Sequence, residues 1–254
     1  MKRELPILEF DPSPSAVLEA SLYNRPADVA SHCVITFFQE VIERLAESGR
    51  LRTVKKIRSE IGRHPLCELD VEGRRLAVIH PGVGAPLAAA LLESVIARGC
   101  RKFVVCGGVG VLDRAIAAGR FVVIESAVRD EGTSYHYAPP SRTIDASPEA
   151  TAALEAVLRS RDVPYRIGRS WTTDAIFRET RDKVRLRREE GCIVVEMEAA
   201  AFFAVARFRG VTLGQVVYGG DDVSGDAHDH RDWVKLADAR EQLFWIAAEA
   251  CLRL

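Results

Sequence analysis

The chain has 254 residues, with 35 Lys and Arg against 36 Asp and Glu and a formal net charge of −1. That length allows one large α/β domain or two small ones, with room for a sizeable core. Balanced charge gives no basic face for nucleic acid and no patch for an anionic membrane. No run of about 18 apolar residues offers a membrane span, and the early charged residues lack the apolar core of a signal peptide. Six scattered cysteines, Cys33, Cys67, Cys100, Cys106, Cys192 and Cys251, form no Cys-x-x-Cys pair. They read as buried thiols in a reducing compartment. The expectation is a soluble cytoplasmic protein.

In chain order, Pro6, Pro12, Pro14 and Pro26 punctuate residues 1–32, which read as an irregular N-terminal extension. A single domain is expected over residues 33–254. Residues 33–38 are apolar and 40–46 helical. Residues 76–80 read as a strand. A helix over 87–97 follows Pro86, which a helix start tolerates, and closes at Gly99. Apolar strands are expected at 103–106 and 121–128. Residues 149–160 read as a helix, and 164–168 lead into a strand. A short buried strand at 192–195 feeds an alanine-rich helix at 199–207. A strand at 213–218 and an amphipathic helix from about Asp232 complete the chain. Strands alternating with helices predict a three-layer α/β/α fold around a mixed, largely parallel sheet. Ligands in such sheets bind at the carboxyl ends of the strands.

Glu196 and Glu198 flank Met197 where the apolar run turns into the alanine-rich helix. A carboxylate at a helix start gains roughly 0.3–1 kcal/mol from the helix dipole. That accounts for one glutamate and not for two at i and i+2 between apolar residues, where at least one approaches the core. A buried carboxylate needs donors. Where the protein supplies none, paired hydroxyls of a ligand can, as in a ribose.

Glu196-Met197-Glu198-Ala199-Ala200 resembles the ribose-binding signature of the nucleoside phosphorylase family, which includes uridine phosphorylases and nucleosidases. Other segments resemble the family in family order over roughly residues 33–254. They are the glycine turn at 79–86, the Cys-Gly-Gly-Val-Gly stretch at 106–110, residues 126–139, residues 171–177 and the strand at 217–222. The resemblance implies an enzyme that cleaves the N-glycosidic bond of a small-molecule nucleoside. It places ribose on Glu196, Met197 and Glu198, and phosphate or attacking water at Gly107, Gly108 and Gly110. It packs the base on Ile176 and Phe177, with Arg181 as a further base contact. It implies a homodimer or higher homo-oligomer in which Arg63 and His136 reach a neighbouring subunit's site. No cofactor is implied beyond inorganic phosphate as co-substrate.

The chain departs from the phosphorylase pattern at the anion site. Residues 37–41 and 105–108 stand where the family carries two arginines and a hydroxyl residue, and all three are missing. Each lost arginine fork removes a charged hydrogen bond of about 1.5–3 kcal/mol. Glu40 stands where nucleosidases of the family carry a glutamate, which could activate water. Phosphate therefore remains the default acceptor, water the alternative, and a catalytically silent nucleoside-binding protein a third reading.

Asp222 matches the aspartate that protonates the leaving base in purine-cleaving branches, better than Asp221 does. Residues 126–139 are instead similar to the uridine branch. Asp226, His228, Asp229 and His230 read as an exposed loop rather than a metal centre.

Overall fold

The computed structural model describes residues 2–254. Its strands are β1 (His32–Thr36), β2 (Leu51–Ser59), β3 (Gly62–Val71), β4 (Arg74–Ile79), β5 (Lys102–Val111), β6 (Phe121–Asp130), β7 (Thr143–Asp145), β8 (Tyr165–Thr173), β9 (Cys192–Glu196) and β10 (Thr212–Asp222). Its helices are α1 (Ala20–Tyr23), α2 (Gln39–Glu47), α3 (Ala85–Arg98), α4 (Pro148–Ser160), α5 (Arg181–Glu189), α6 (Ala199–Arg209) and α7 (Ala237–Leu252).

The strands join one mixed sheet in the order β10-β6-β8-β9-β5-β1-β4-β3-β2, with β7 on β6. β5 also pairs with β10 in parallel. That extra ladder closes β5, β10, β6, β8 and β9 into a ring. The central strand β1 is buried from Cys33 to Thr36, as its unbroken apolar run requires.

Helices cover both faces, as the alternation predicts. On one face lie α3 and α6, whose alanines Ala88, Ala89, Ala200 and Ala204 are fully buried. Small residues let these helices sit close to the sheet. On the other face, Val41 and Leu45 of α2, Leu154 and Leu158 of α4, and Leu243 and Phe244 of α7 share a second core.

β2, β3 and α5 escape the sequence reading, and β2 and α5 do so for a common reason, which is a weak apolar pattern. β2 and β3 form an antiparallel arm with β4. Four cations (Arg52, Lys55, Lys56 and Arg58) interrupt β2, and only Leu51 and Ile57 are buried. α5 is arginine-rich and buries only Val184 and Arg187. Thr180 caps it by accepting from the Lys183 amide.

Two boundaries also move. β5 continues through the expected glycine loop to Val111. α7 starts at Ala237 rather than near Asp232, because Arg231 and Asp232 take positive φ and a 3-10 turn intervenes at Trp233–Lys235.

The extension is tied to the domain rather than loose. Arg209 donates to the Pro14 carbonyl at 3.2 Å, and the Asn24 amide donates to Ser94 Oγ at 3.2 Å. All six cysteines are buried and free, as expected. Among the described residues no helix is long and apolar enough to cross a membrane.

Candidate active site

A cavity of about 360 Å³ opens at the carboxyl ends of β1, β5, β9 and β10. Gly107, Gly108 and Gly110 form one wall. A Cβ on Gly107 would stand 2.9 Å from Phe37, and one on Gly110 2.8 Å from Val195. Only glycine leaves room there for the neighbours and the cavity together. β1 pairs with β5 up to Cys106, and β9 joins it from Gly110. Among the described residues, that edge of β5 is unpaired between them, so the backbone of residues 107–109 borders the cavity.

The Glu-Met-Glu stretch splits into two roles. Glu196 is saturated by the protein. Ser170 Oγ and Thr172 Oγ1 donate to its Oε1 at 2.9 and 2.6 Å. The amides of Glu198 and Ala199 donate to Oε2 at 2.7 and 2.5 Å. Burial pushes this carboxyl up, against the pull of those donors.

Glu198, the residue at the head of α6, is different. The Gly84 amide donates to its Oε1 at 2.5 Å, and among the described residues no side-chain donor reaches it. Gly84 has φ of 91°, a backbone state that favours glycine, so the glycine turn before α3 serves to aim one amide at Glu198. Burial, and then the charge of Glu196, push the Glu198 carboxyl up to about 8. Met197 lines the cavity beside it.

Glu40 does not line the cavity. Its carboxylate is gripped by Arg240 of α7, with Nε on Oε1 at 2.5 Å and Nη2 on Oε2 at 2.9 Å. It is Arg240 that faces the cavity. The guanidinium lies 4.9 Å over the Phe38 ring and donates to the Tyr218 hydroxyl at 3.4 Å. A Cβ on Gly108 would stand 3.0 Å from that same hydroxyl. Burial works against Arg240, but the Glu40 fork raises its pKa and holds it charged.

The strand β10 places Asp221, not Asp222, at the cavity. Asp222 is 3% exposed and occupied elsewhere. It accepts from the Ser224 amide at 2.8 Å and from Arg231. Burial would raise it, but Ser224 and Arg231 hold it below the usual carboxylate range. Asp221 Oδ2 instead meets His228 Nε2 at 2.8 Å. Asp222, expected to serve the base, is instead held by Arg231 in a buried ion pair and does not line the cavity.

Ile176 lines the cavity, whereas Phe177 is 95% exposed outside it. Arg181 also stands outside and donates to the Asp226 carbonyl at 2.9 Å. Arg63, on β3, and the exposed His136, on the 3-10 turn Thr133–His136, line no part of this cavity. Asp229 bridges to Asp222 through the backbone, and among the described residues no three metal-ligating side chains gather. A larger open groove of about 780 Å³ runs along α7 between Arg74 and Trp245, and it holds no residue singled out from the sequence.

Sequence reasoning missed Arg240, Glu179, His80 and Gln215, which all line the cavity. Burial pushes the His80 imidazole down, and its Nδ1 accepts from the Gly82 amide at 3.0 Å. Gln215 is 2% exposed, and its Oε1 has no partner among the described residues. Arg240 carries a readable signal. Leu243, Phe244 and Ala247 lie three, four and seven residues on and are buried, so Arg240 sits on the core-facing stripe of an amphipathic helix. Glu179 has no such pattern around it.

A family model described as the phosphorylase superfamily matches residues 31–252. A guanosine phosphorylase of Halorubrum lacusprofundi is 29% identical over 153 residues, covering 60% of this chain and 64% of that protein. A uridine phosphorylase of Thermococcus kodakarensis is 26% identical over 209 residues, covering 76% of this chain and 73% of that protein. The uridine phosphorylase of Vibrio fischeri superposes with a TM-score of 0.75 at 18% identity, over 89% of this chain and 94% of that one. The Toxoplasma gondii purine nucleoside phosphorylase in complex with immucillin-H gives 0.76 at 19% identity, over 89% and 92%. At these identities the superpositions show the fold alone. The sequence match spans nearly the whole chain, and on that ground the protein belongs to the phosphorylase superfamily.

Proposed function

We propose that the protein is a nucleoside phosphorylase, which cleaves the N-glycosidic bond of a nucleoside and transfers the sugar to inorganic phosphate. Glu198 carries the reading. It is a buried carboxylate facing the cavity, with one backbone donor and, among the described residues, no side-chain donor. Two neighbouring ribose hydroxyls supply the hydrogen bonds it lacks. Met197 packs beside the sugar, and Glu196 anchors the turn that presents both.

Arg240 supplies a cation at the same cavity, and the open backbone edge at residues 107–109 supplies amides. A phosphate oxygen attacks C1′ of the sugar. The bond from C1′ to the base nitrogen breaks, and its electron pair leaves with the base. Asp221, paired with His228, stands at the base end to hydrogen-bond or protonate that base. Ile176 packs against it. The relatives' names make guanosine and uridine the first nucleosides to try. Val83, 66% exposed, and Ile176, 54% exposed, leave an apolar mouth. A second copy of the chain covers it in this reading, with Arg63 and His136 as the residues that a neighbour brings.

Water is the second reading of the acceptor. One observation favours it: the Arg240 fork is already closed on Glu40, so that end of the cavity is charge-neutral. A nucleoside panel assayed with and without phosphate separates the readings. Ribose 1-phosphate formed only with phosphate is the expected result. Free ribose in phosphate-free buffer would establish a nucleosidase. No base release from any nucleoside would leave a binding protein and defeat both.

A further inference from the structure

Gln215 of β10 is 2% exposed and lines the cavity, yet its Oε1 has no hydrogen-bond partner among the described residues. The ladders show why the protein leaves it unpaired. Gln215 stands opposite Val105 of β5 and Ile124 of β6, which are apolar and buried. Val217, two residues on and on the same face of the strand, also lines the cavity and stands opposite Gly107. A buried amide oxygen aimed into a cavity among apolar neighbours needs a donor that arrives with the ligand.

Its place on β10 says which part of the ligand brings that donor. Asp221, at the base end, lies further along the same strand toward its carboxyl end, where the cavity opens. Gln215 therefore lies on the deep side of the sugar. A nucleophile reaches C1′ from the side opposite the departing base, so the group that meets Gln215 is the acceptor.

Charge narrows the acceptor further. Among the described residues that line the cavity, Arg240 is the only arginine or lysine, and its fork is closed on Glu40. Burial pushes the His80 imidazole down and so keeps it neutral. The carboxyl groups of Glu179, Glu196, Glu198 and Asp221 stand around the same space. A dianion is poorly served there, and its bare oxygens leave Oε1 unpaired.

Resting on the reading of the cavity as a nucleoside site, we propose that Gln215 holds the acceptor by accepting a hydrogen bond from the acceptor's own O–H. The cavity then takes an oxygen nucleophile that still carries a proton, which phosphate monoanion and water share, and refuses an oxyanion that has none. An amide is no base, so Gln215 orients the acceptor without taking its proton.

The test titrates inorganic phosphate and sulfate into the ligand-free protein at about pH 6.5 by calorimetry. Sulfate has the shape of phosphate but carries no proton at that pH. Phosphate should bind at least about tenfold tighter, the worth of a hydrogen bond gained against a buried oxygen left unpaired. Gln215→Leu should bring the two anions within about threefold. That variant removes a buried unpaired oxygen, so its melting temperature should not fall. Sulfate bound as tightly as phosphate by the unmodified chain would overturn the assignment without any variant, and so would a ratio unmoved in Gln215→Leu. Where neither anion binds and nucleosides yield free ribose, water is the acceptor. Gln215→Leu should then lower kcat at least about tenfold with the nucleoside KM within about twofold, and an unmoved kcat would overturn the assignment. Preference for phosphate without any cleavage would sustain Gln215 while defeating the phosphorylase reading. Phosphate-dependent cleavage with sulfate binding as well as phosphate would do the reverse.

Discussion

Arg240 closes both arms of its guanidinium on Glu40, 200 residues earlier in the chain. The pair joins the first turn of α2 to the first turn of α7. Glu40 is thereby withdrawn from the cavity while Arg240 is presented to it. The carboxylate that would activate water is held out of the cavity, and the cation left facing the cavity is already paired with it.

Arg240→Ala should raise the KM for phosphate by about 10- to 100-fold, the loss of a charged hydrogen bond or two. Glu40→Gln should lower that KM, because it frees the guanidinium fork. Initial rates at varied phosphate measure both. A nucleosidase using Glu40 would instead lose its activity in Glu40→Gln.

Glu198→Gln should cost ribonucleoside turnover about 2–3 kcal/mol, or some 30- to 150-fold in kcat/KM. An amide accepts two hydroxyl protons less well than a carboxylate. The fold should persist, because the Gly84 amide still finds an oxygen. Near-normal turnover in a folded variant would remove Glu198 from the sugar.

The pH dependence of stability has a definite sign. The Glu198 carboxyl sits at about 8 in the folded chain against an ordinary value of 4.5. The folded state therefore holds a proton that the unfolded chain has released. Its contribution is complete below the ordinary value and is lost as pH rises to about 8. The melting temperature of ligand-free protein should fall over that window, and Glu198→Gln should flatten the slope. An unchanged slope in the variant would contradict the assignment.

Asp221 and Asp222 should separate function from stability. Asp222→Asn breaks a buried pair with Arg231 and should lower the melting temperature by about 5–10 °C. Asp221→Asn, at a half-buried position, should leave melting within about 2 °C and reduce kcat. The opposite pattern would return the base end to Asp222.

Sedimentation should find a homo-oligomer, most simply a dimer, since the apolar cavity mouth at Val83 and Ile176 lies open in one chain. A strictly monomeric and fully active species would refute this.

Local patterns in the sequence singled out Glu196, Met197 and Glu198, which line the cavity. Glu196-Met197-Glu198 and the glycine turn are contiguous, so residue type and spacing suffice to read them. The distinction between the two glutamates was hidden, because the donors that saturate Glu196 come from Ser170 and Thr172 on a neighbouring strand. The acceptor end was hidden more deeply. Asp-Ala-Arg-Glu-Gln at the start of α7 looks like a solvated face until Arg240 is seen to share a stripe with Leu243 and Phe244. The choice between Asp221 and Asp222 turned on Arg231, which reaches back across a loop whose backbone no local rule predicts.

The closed ring of β5, β10, β6, β8 and β9 has a consequence for how such a protein can change. Ser170, Thr172 and Glu196 all belong to ring strands, and Glu198 directly follows one of them. Arg240 and Glu40 belong to helices that lean on the sheet from its far side. In the proposed reading the sugar is thus held by the ring, and the acceptor by ring strand β5 together with the Arg240 side chain of α7. A few substitutions in the first turn of α7 would then change the acceptor's surroundings while leaving in place the donors that hold Glu196 and Glu198.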